Sequence, residues 1–358
     1  MTRFGKWAAF ALCALAGAGG GHAAAAARGT VVSTQIDSQA LRDNLVGVAA
    51  RRDIKVYLPP GYARGTRRYP VIYFIHNYHW SPARLFEENR LQGFAERAVE
   101  RGQLGEVIIV AGDFTTPGGF NFFGNDRVAG RWIDHIADEL VPHVDAHFRT
   151  LATPASRGIA GHFFGGFAAL KVPMLRPGLF GAAYALHPVG TGTGLFPGSW
   201  RPDWKLVHEA RGWDDLRRHD FTPVFVAMSQ AYLPNPARPP FFCDFMVEPQ
   251  NGELLPDTGN IIALTSRFLL DSLLREHAEG LKQLRAIKLD WGRYDPNQDH
   301  VYANVAFSRK LEEYGITHSA EEYAGNEWNQ LWVPNGRVEA DLLPFFAQYL
   351  EGAAPARR

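Results

Sequence analysis

The sequence predicts an α/β protein with a doubly wound, mostly parallel sheet and an inserted cap region. Short apolar runs of strand length alternate with runs of helical spacing along most of the 358 residues. This alternation is typical of parallel sheets that carry helices on their faces. It stops between about residues 190 and 283, where proline, tryptophan and phenylalanine are frequent. We interpret this stretch as a cap over the carboxyl ends of the strands and not as a separate domain.

The first 27 residues have the form of a secretory signal peptide. Arg3 and Lys6 supply a basic start, residues 7–16 are apolar, and the small residues at 24–27 fit a cleavage site. The apolar run is shorter than the ~20 residues that a membrane span needs. We therefore expect a periplasmic or secreted protein without a membrane span.

After this segment we expect one domain at residues 28–350, which includes the cap, and a flexible tail at residues 351–358. Basic and acidic residues number 37 each, which argues against a nucleic-acid partner, because such binders carry a basic surface. Cleavage leaves Cys243 as the single cysteine. A disulfide within the chain and a cysteine-based metal site are then excluded.

The elements are predicted in order from these patterns. Two alternating stretches, GTVVSTQIDS and RRDIKVYLPPGY, predict antiparallel edge strands. Further strands are predicted at YPVIYFIHNYHW, GEVIIVAGDF, SRGIAGHF, GAAYALHPV, AIKLDWGRYD and HSAEEYAG. Helices are predicted at RLFEENRLQGFAERAVERG, AGRWIDHIADELVPHVDAHF, GGFAALKVPMLRP, VYANVAFSRKLEEYG and VEADLLPFFAQYL, with a long cap helix around Ile261 to His277.

The stretch Gly161–Gly165, GHFFG, has the form of a nucleophile elbow between a strand and a helix. In that motif, G-x-S-x-G, the central serine is the nucleophile. Here Phe163 takes its place, with His162 and Phe164 beside it. A bulky residue at this strained turn costs of order 1–3 kcal/mol and offers no hydroxyl group.

Four stretches together resemble the putative-esterase family of α/β hydrolases, which includes esterase D-like, feruloyl-esterase-like and enterochelin-esterase-like enzymes. They are KVYLPPGY with RYPVIYFIH, GRWIDHIADELVPHVDAHFRT, GIAGHFFGGFAAL and YGITHSAEEYAG. Their order and spacing resemble the family over nearly the whole mature chain. The resemblance implies an α/β-hydrolase fold and a triad in which the nucleophile is followed by the acid and then by the histidine base.

Of the triad positions that the resemblance assigns, only Asp295 holds the expected residue. It follows the late strand in WGRYD, where the family carries its acid; Asp299 is the second choice, and a turn-capping role before Pro296 is the alternative. Glu327 stands where the family's histidine follows Y-x-G-G. Because no histidine follows His318, the base is missing from its position as well as the nucleophile.

The loop that forms the oxyanion hole departs from the family as well. The family's strand ends in H-G-x-G-G, where glycines let backbone N–H groups approach the substrate carbonyl. This chain has His76, Asn77, Tyr78, His79 and Trp80 there. We expect backbone donors to remain, with less room around them.

Other nucleophiles are less favoured. Ser81 fits a helix N-cap, and Ser156 lies at the opposite end of the sheet. Ser199 and Ser229 fall in the cap, and Cys243, within PPFFCDF, is typical of a buried apolar cysteine.

Asp295 and Glu327 form a candidate acid/base pair, because neighbouring carboxylates push each other's pKa values apart. The alternative for Glu327 is a structural salt bridge to Arg293 or Arg337.

His187 ends a predicted strand in YALHPV, so we expect it near the mouth of the pocket. A metal site from His79 and His187 with the two carboxylates is conceivable, but no close ligand motif supports it, and we expect no metal and no cofactor. Tryptophans in loops favour stacking on a ligand, and they are Trp80, Trp200, Trp204, Trp328 and Trp332. The candidate binding residues are His76, Asn77, Tyr78, His79, Trp80, His162, Phe164, His187 and Trp328.

The sequence therefore predicts an exported pseudo-esterase that binds a small aromatic or carbohydrate ester-like ligand, or a partner, in the pocket above Phe163. Two alternatives stay open. One is a lyase- or isomerase-like enzyme that uses Asp295 and Glu327, and the other is weak ester hydrolysis by water activation.

Overall fold

The computed structural model describes residues 28–192, 201–219 and 221–356. The predicted signal peptide lies outside these ranges, as do Ser199 and Trp200. An eight-stranded sheet forms the centre, in the order β1-β2-β4-β3-β7-β8-β11-β12. The strands are β1 Thr30–Asp37, β2 Arg51–Leu58, β3 Val71–Ile75, β4 Ile108–Gly112, the short β5 Asn125–Asp126 and β6 Gly130–Arg131, β7 Arg157–His162, β8 Ala182–Leu186, β9 Val247–Gln250, β10 Glu253–Pro256, β11 Ala286–Gly292 and β12 Ser319–Tyr323.

Six neighbouring strands of the sheet, from β4 to β12, run parallel, and β1 and β2 join them antiparallel. The antiparallel pairing of β1 with β2 was expected, but β2 is not an edge strand. It lies between β1 and β4 because Ile54 and Val56 bury fully against the body of the protein.

Both faces of the sheet are covered, which explains the continuous apolar strands. Along β3, Val71, Tyr73 and Ile75 belong to one core, whereas Ile72 and Phe74 belong to the core on the other side. Alternate side chains of a strand point to opposite faces, so a strand buried on both faces is apolar throughout.

Two of the predicted helices are interrupted. The segment after β3 forms two helices because Arg90 adopts a left-handed conformation, with φ 55°. The predicted cap helix divides at Leu269, which is extended. The helices are α1 Pro82–Glu87, α2 Leu91–Glu100, α3 Trp132–Asp134 continued by a π-helix to α4 Val141–His147, α5 Phe164–Leu175, α6 Trp204–Glu209, α7 Trp213–Leu216, α8 Thr222–Tyr232, α9 Thr258–Phe268, α10 Leu270–Lys282, α11 Gln298–Glu313 and α12 Leu343–Tyr349.

The stretch interpreted as a cap contains α6 to α10 and the β9–β10 hairpin. It has a small apolar cluster of its own, which includes Val207, Leu216 and the fully buried Cys243. Ser81 accepts a hydrogen bond from the Arg84 N–H at the start of α1 and so caps that helix. None of the described helices is long and apolar enough to cross a membrane.

Candidate functional site

The turn between β7 and α5 keeps the strained backbone of a nucleophile elbow. Phe163 has φ 58° and ψ −108°, a conformation that side-chain-bearing residues rarely adopt. A Cβ atom at Gly161 would collide with the backbone of Gly165, and one at Gly165 would collide with the carbonyl oxygen of Ile75. The two glycines are therefore required by close backbone approach, and the turn presents a phenyl ring where the motif presents a hydroxyl.

Aromatic rings surround the half-buried Phe163 side chain. Its ring centroid lies 5.1 Å from that of His300 and 5.8 Å from that of His187. The rings of Tyr78 and Trp328 each lie 5.9 Å away. These contacts hold the phenyl ring over the site that a reacting group would occupy.

Asp295 follows β11 and binds two histidines through one oxygen. Its Oδ2 accepts hydrogen bonds from His187 Nε2 at 2.8 Å and His300 Nδ1 at 2.9 Å, and its Oδ1 accepts one from the Asn297 N–H at 2.7 Å. His187 Nδ1 accepts from the Gly292 N–H, and His300 Nε2 accepts from the Asn297 side-chain amide. This network assigns both imidazoles as neutral, with the single ring proton on His187 Nε2 and on His300 Nδ1, the nitrogens that donate to Asp295.

Burial by itself would raise the pKa of Asp295, but the hydrogen bonds from His187 and His300 outweigh it and hold that pKa well below its ordinary value. Asp295 is therefore ionised, and both of its carboxylate oxygens accept hydrogen bonds. The ligand atoms of His187, Asp295 and His300 lie within 4.8 Å of one another, close enough to hold a metal ion. Each of these ring nitrogens already has a hydrogen-bond partner, however, so the three residues form a closed network.

The loop after β3 places an amide oxygen between two backbone donors. Asn77 Oδ1 accepts from the Tyr78 N–H at 2.8 Å and from the Phe164 N–H at 3.4 Å. In α/β hydrolases the oxyanion hole is built from these two places, the residue after the nucleophile and the loop after this strand. Asn77 is 1% exposed. Its Oδ1 thus accepts from the backbone N–H groups at both of these places.

Glu327 lies in the loop after β12. Its carbonyl oxygen accepts a hydrogen bond from His162 Nε2 at 2.8 Å, while its carboxylate Oε2 is buried and has no partner among the described residues. Neither predicted salt bridge to Glu327 forms, because Arg293 pairs with Glu322 and Arg337 pairs with Asp290.

A cavity of about 1180 Å³ opens above these groups. The predicted site residues that line it are Tyr78, His79, Phe163, Phe164, Asp295 and Glu327. Sequence reasoning missed the lining residues Phe120, Arg201, Trp213, Arg217, His219, Phe221 and His300. His300 could have been found from its position five residues after Asp295, at the start of α11.

Five of the candidate binding residues are buried and do not line this cavity: His76, Asn77, Trp80, His162 and His187. Their contact with a ligand stays a prediction. Several of their polar atoms bind backbone or neighbouring side chains, as His76 Nε2 does when it accepts from the Phe114 N–H, whereas Asn77 Nδ2 and His162 Nδ1 have no partner among the described residues. Trp80 packs on Trp332 in the core that also contains Ile72 and Phe74.

The remaining candidates lie at or beyond the rim. Trp328 is 37% exposed and stacks on Phe163. Trp204 belongs to α6 and packs on Phe225 within the cap. Asp299 is half exposed and pairs with Arg201 at 3.4 Å, so it does not join the buried network of Asp295.

Residues 48–220 match the profile of the family described as Putative esterase. An esterase of Mycobacterium tuberculosis is 29% identical over 155 residues, which cover 43% of this chain and 31% of that protein. This chain therefore spans less than a third of the length of that relative.

Two solved structures share the fold. A ferulic acid esterase superposes with a TM-score of 0.60 at 17% identity, covering 90% of this chain and 99% of that one. The S-formylglutathione hydrolase of Agrobacterium tumefaciens gives a TM-score of 0.58 at 15% identity, covering 91% and 97%.

Proposed function

We propose that this chain, which belongs to the putative esterase family and has its α/β-hydrolase fold, is a non-hydrolytic member of the family. It binds a small ligand in the cavity above Phe163. From the form of residues 1–27, we place its action in the periplasm or outside the cell.

The observation that carries the proposal is the position of Asn77. Catalysis of ester hydrolysis depends on N–H groups that are free to bind the oxygen where negative charge develops, and loss of one such donor alone costs about 10²–10³ in rate. Here the donors of Tyr78 and Phe164 both point at Asn77 Oδ1. A substrate carbonyl would have to displace a buried amide to reach them.

Two further features support the same conclusion. Phe163 has no nucleophilic atom, and Glu327 replaces the histidine that would take the proton. The nearest imidazole of the cavity wall, His300, has its Nε2 occupied by the Asn297 amide. Nucleophile, base and oxyanion donors are therefore each disabled by a different side chain.

The acid/base and water-activation alternatives lose support from the same contacts. Asp295 accepts three hydrogen bonds from His187, His300 and Asn297, so it serves as a structural acceptor and has no proton to exchange. The aromatic wall of the cavity favours binding of a ring-bearing ligand.

We expect the purified protein to hydrolyse neither a panel of aryl esters nor methyl ferulate faster than buffer alone does. A fluorophosphonate probe should not label it. Methyl ferulate should nevertheless quench tryptophan fluorescence in a saturable way, because Trp328 stacks on Phe163 at the rim.

The matched control is the Asp295→Ala/Glu327→Ala variant. Equal inertness of the parent and the variant supports the proposal. Turnover by the parent that the variant lacks, or stoichiometric fluorophosphonate labelling, would overturn it.

A further inference from the structure

The Glu327 carboxylate faces the cavity without a counter-ion. Its Oε2 is buried with no hydrogen-bond partner, and within the described ranges no lysine or arginine pairs with it. His162, whose ring binds the Glu327 backbone, is neutral, because burial lowers the pKa of His162 to about 3. A carboxylate that has no bonded counter-ion attracts a cationic ligand group placed beside it.

The histidines bonded to Asp295, the other acidic group at this end of the cavity, do not offset the negative charge of Glu327. Asp295 is ionised, and both of its histidine partners, His187 and His300, are assigned as neutral by their hydrogen bonds. The Asp295 network therefore carries one negative charge and Glu327 carries another.

The basic side chains of the cavity wall are engaged on the cap side. Arg201 donates to Asn297 Oδ1 at 3.0 Å and pairs with Asp299. Arg217 pairs with Asp214 at 3.0 Å. Burial lowers the pKa of His79, which favours its neutral form. His219 also lines the cavity from the cap side. None of these groups is bonded to Glu327.

Aromatic rings form the rest of the surface near Glu327. Burial and the charge of Glu327 both raise the pKa of Tyr78, and both residues line the cavity. Tyr78 contacts Phe163 and Trp328, with ring centroids 5.9 and 6.4 Å apart. Rings of this kind attract a cation at their faces, and N-methylated ammonium groups are their characteristic ligands.

We propose that the floor of this cavity binds the alkylammonium group of a cationic ligand, with Glu327 as the counter-ion and the rings of Tyr78 and Phe163 as the apolar contacts. The inference rests on the proposed function, because it assigns the ligand class of the same non-hydrolytic cavity. A metal ion fits less well, since hard cations take six or more oxygen ligands and a single carboxylate is free here.

The test compares choline with its neutral isostere, 3,3-dimethyl-1-butanol, by isothermal titration calorimetry on the purified protein. Choline should bind saturably and about tenfold or more tightly than the alcohol, because only choline gains the charge interaction. In Glu327→Gln that preference should disappear. In the control Glu312→Gln, an exposed glutamate on α11, it should persist.

Equal binding of choline and the alcohol, or binding of neither, would overturn the inference. This comparison uses the parent protein alone, so it stands even where Glu327→Gln fails to fold. If the choline prediction fails, saturable binding of methyl ferulate without turnover would still support the proposed function. Ester turnover would contradict the proposed function itself.

Discussion

Under the proposed function, Asn77 and Phe163 obstruct different steps of ester hydrolysis. Phe163 removes the attacking atom, while Asn77 Oδ1 occupies the N–H donors of Tyr78 and Phe164. Because the two side chains belong to different loops, a change at one leaves the obstruction at the other in place. This independence determines what single substitutions should do.

We expect Phe163→Ser to hydrolyse p-nitrophenyl acetate within a fewfold of the parent's rate. The new hydroxyl would lack both a free oxyanion hole and an available base, because His300 Nε2 accepts from Asn297. Phe163→Ala is the control for the space that the ring vacates. Rapid hydrolysis by Phe163→Ser alone would show that His300 acts as a base and that Asn77 moves aside.

The triple variant Asn77→Gly/Phe163→Ser/Glu327→His should hydrolyse the same ester at least about 10²-fold faster than Phe163→Ser, since a freed oxyanion donor alone is worth that much. Steady-state rates with p-nitrophenyl acetate measure the difference. Equal rates for the triple and single variants would mean that the Asn77 contact does not limit catalysis.

Sequence patterns located the turn at Phe163 and the strand ends before Asp295 and Glu327, because each lies at a fixed place relative to a strand. They did not predict the position of the Asn77 side chain, which depends on a rotamer within a buried loop. They also placed His187 at the pocket mouth, whereas it is fully buried beneath Phe163. Which side of a strand end is covered depends on packing from distant segments, and a linear pattern carries no such information.

Among the elements, the elbow is held by two glycines for steric reasons. Gly165→Ala should lower the stability of the fold by about 3 kcal/mol or more, because its Cβ would collide with the Ile75 carbonyl on β3. Gly65→Ala is the matched control, since no atom lies within 4 Å of a Cβ there. Thermal unfolding of both variants tests this, and equal melting temperatures would contradict the steric argument.

Element types were more predictable than element limits. Hydrophobic periodicity located every strand of the central sheet, because burial on both faces fixes a strand's composition. It did not show that α1 and α2 separate at Arg90 or that α9 and α10 separate at Leu269. Such breaks depend on the backbone conformation of single residues, and the apolar spacing continues unchanged across them.

For the whole molecule, partly buried and hydrogen-bonded carboxylates couple folding to pH. Burial tends to raise the pKa of Glu139, but hydrogen bonds from His135 and Ser38 outweigh it and lower that pKa to about 2. Hydrogen bonds from Arg337, with help from Lys288, lower the pKa of Glu321 to about 2 against the opposing effect of burial. A pKa depressed in the folded state contributes stability above the unfolded value of about 4.3, and that contribution is lost as pH falls toward 2.

We therefore expect the melting temperature to fall steeply between about pH 4.5 and pH 2. Glu139→Gln should cost ~1–3 kcal/mol at pH 7, because the hydrogen bonds from Ser38, His135 and the Ala40 N–H change. Its melting temperature should fall less between pH 4.5 and pH 2 than that of the parent. Parallel pH profiles for parent and variant would show that Glu139 is not coupled to acid unfolding.

The Asn77 contact also bears on the evolutionary paths that are open to this chain. A serine at position 163 brings no gain in hydrolysis while Asn77 Oδ1 still occupies the backbone donors of Tyr78 and Phe164. A smaller residue at position 77 alone leaves the chain without a nucleophile at position 163. The improvement appears only when changes at several separated codons coincide. Under the proposed non-hydrolytic function, a gain of ester hydrolysis is therefore an improbable adaptive route, whereas substitutions at residues 77, 163 and 327 that improve ligand binding remain open to selection.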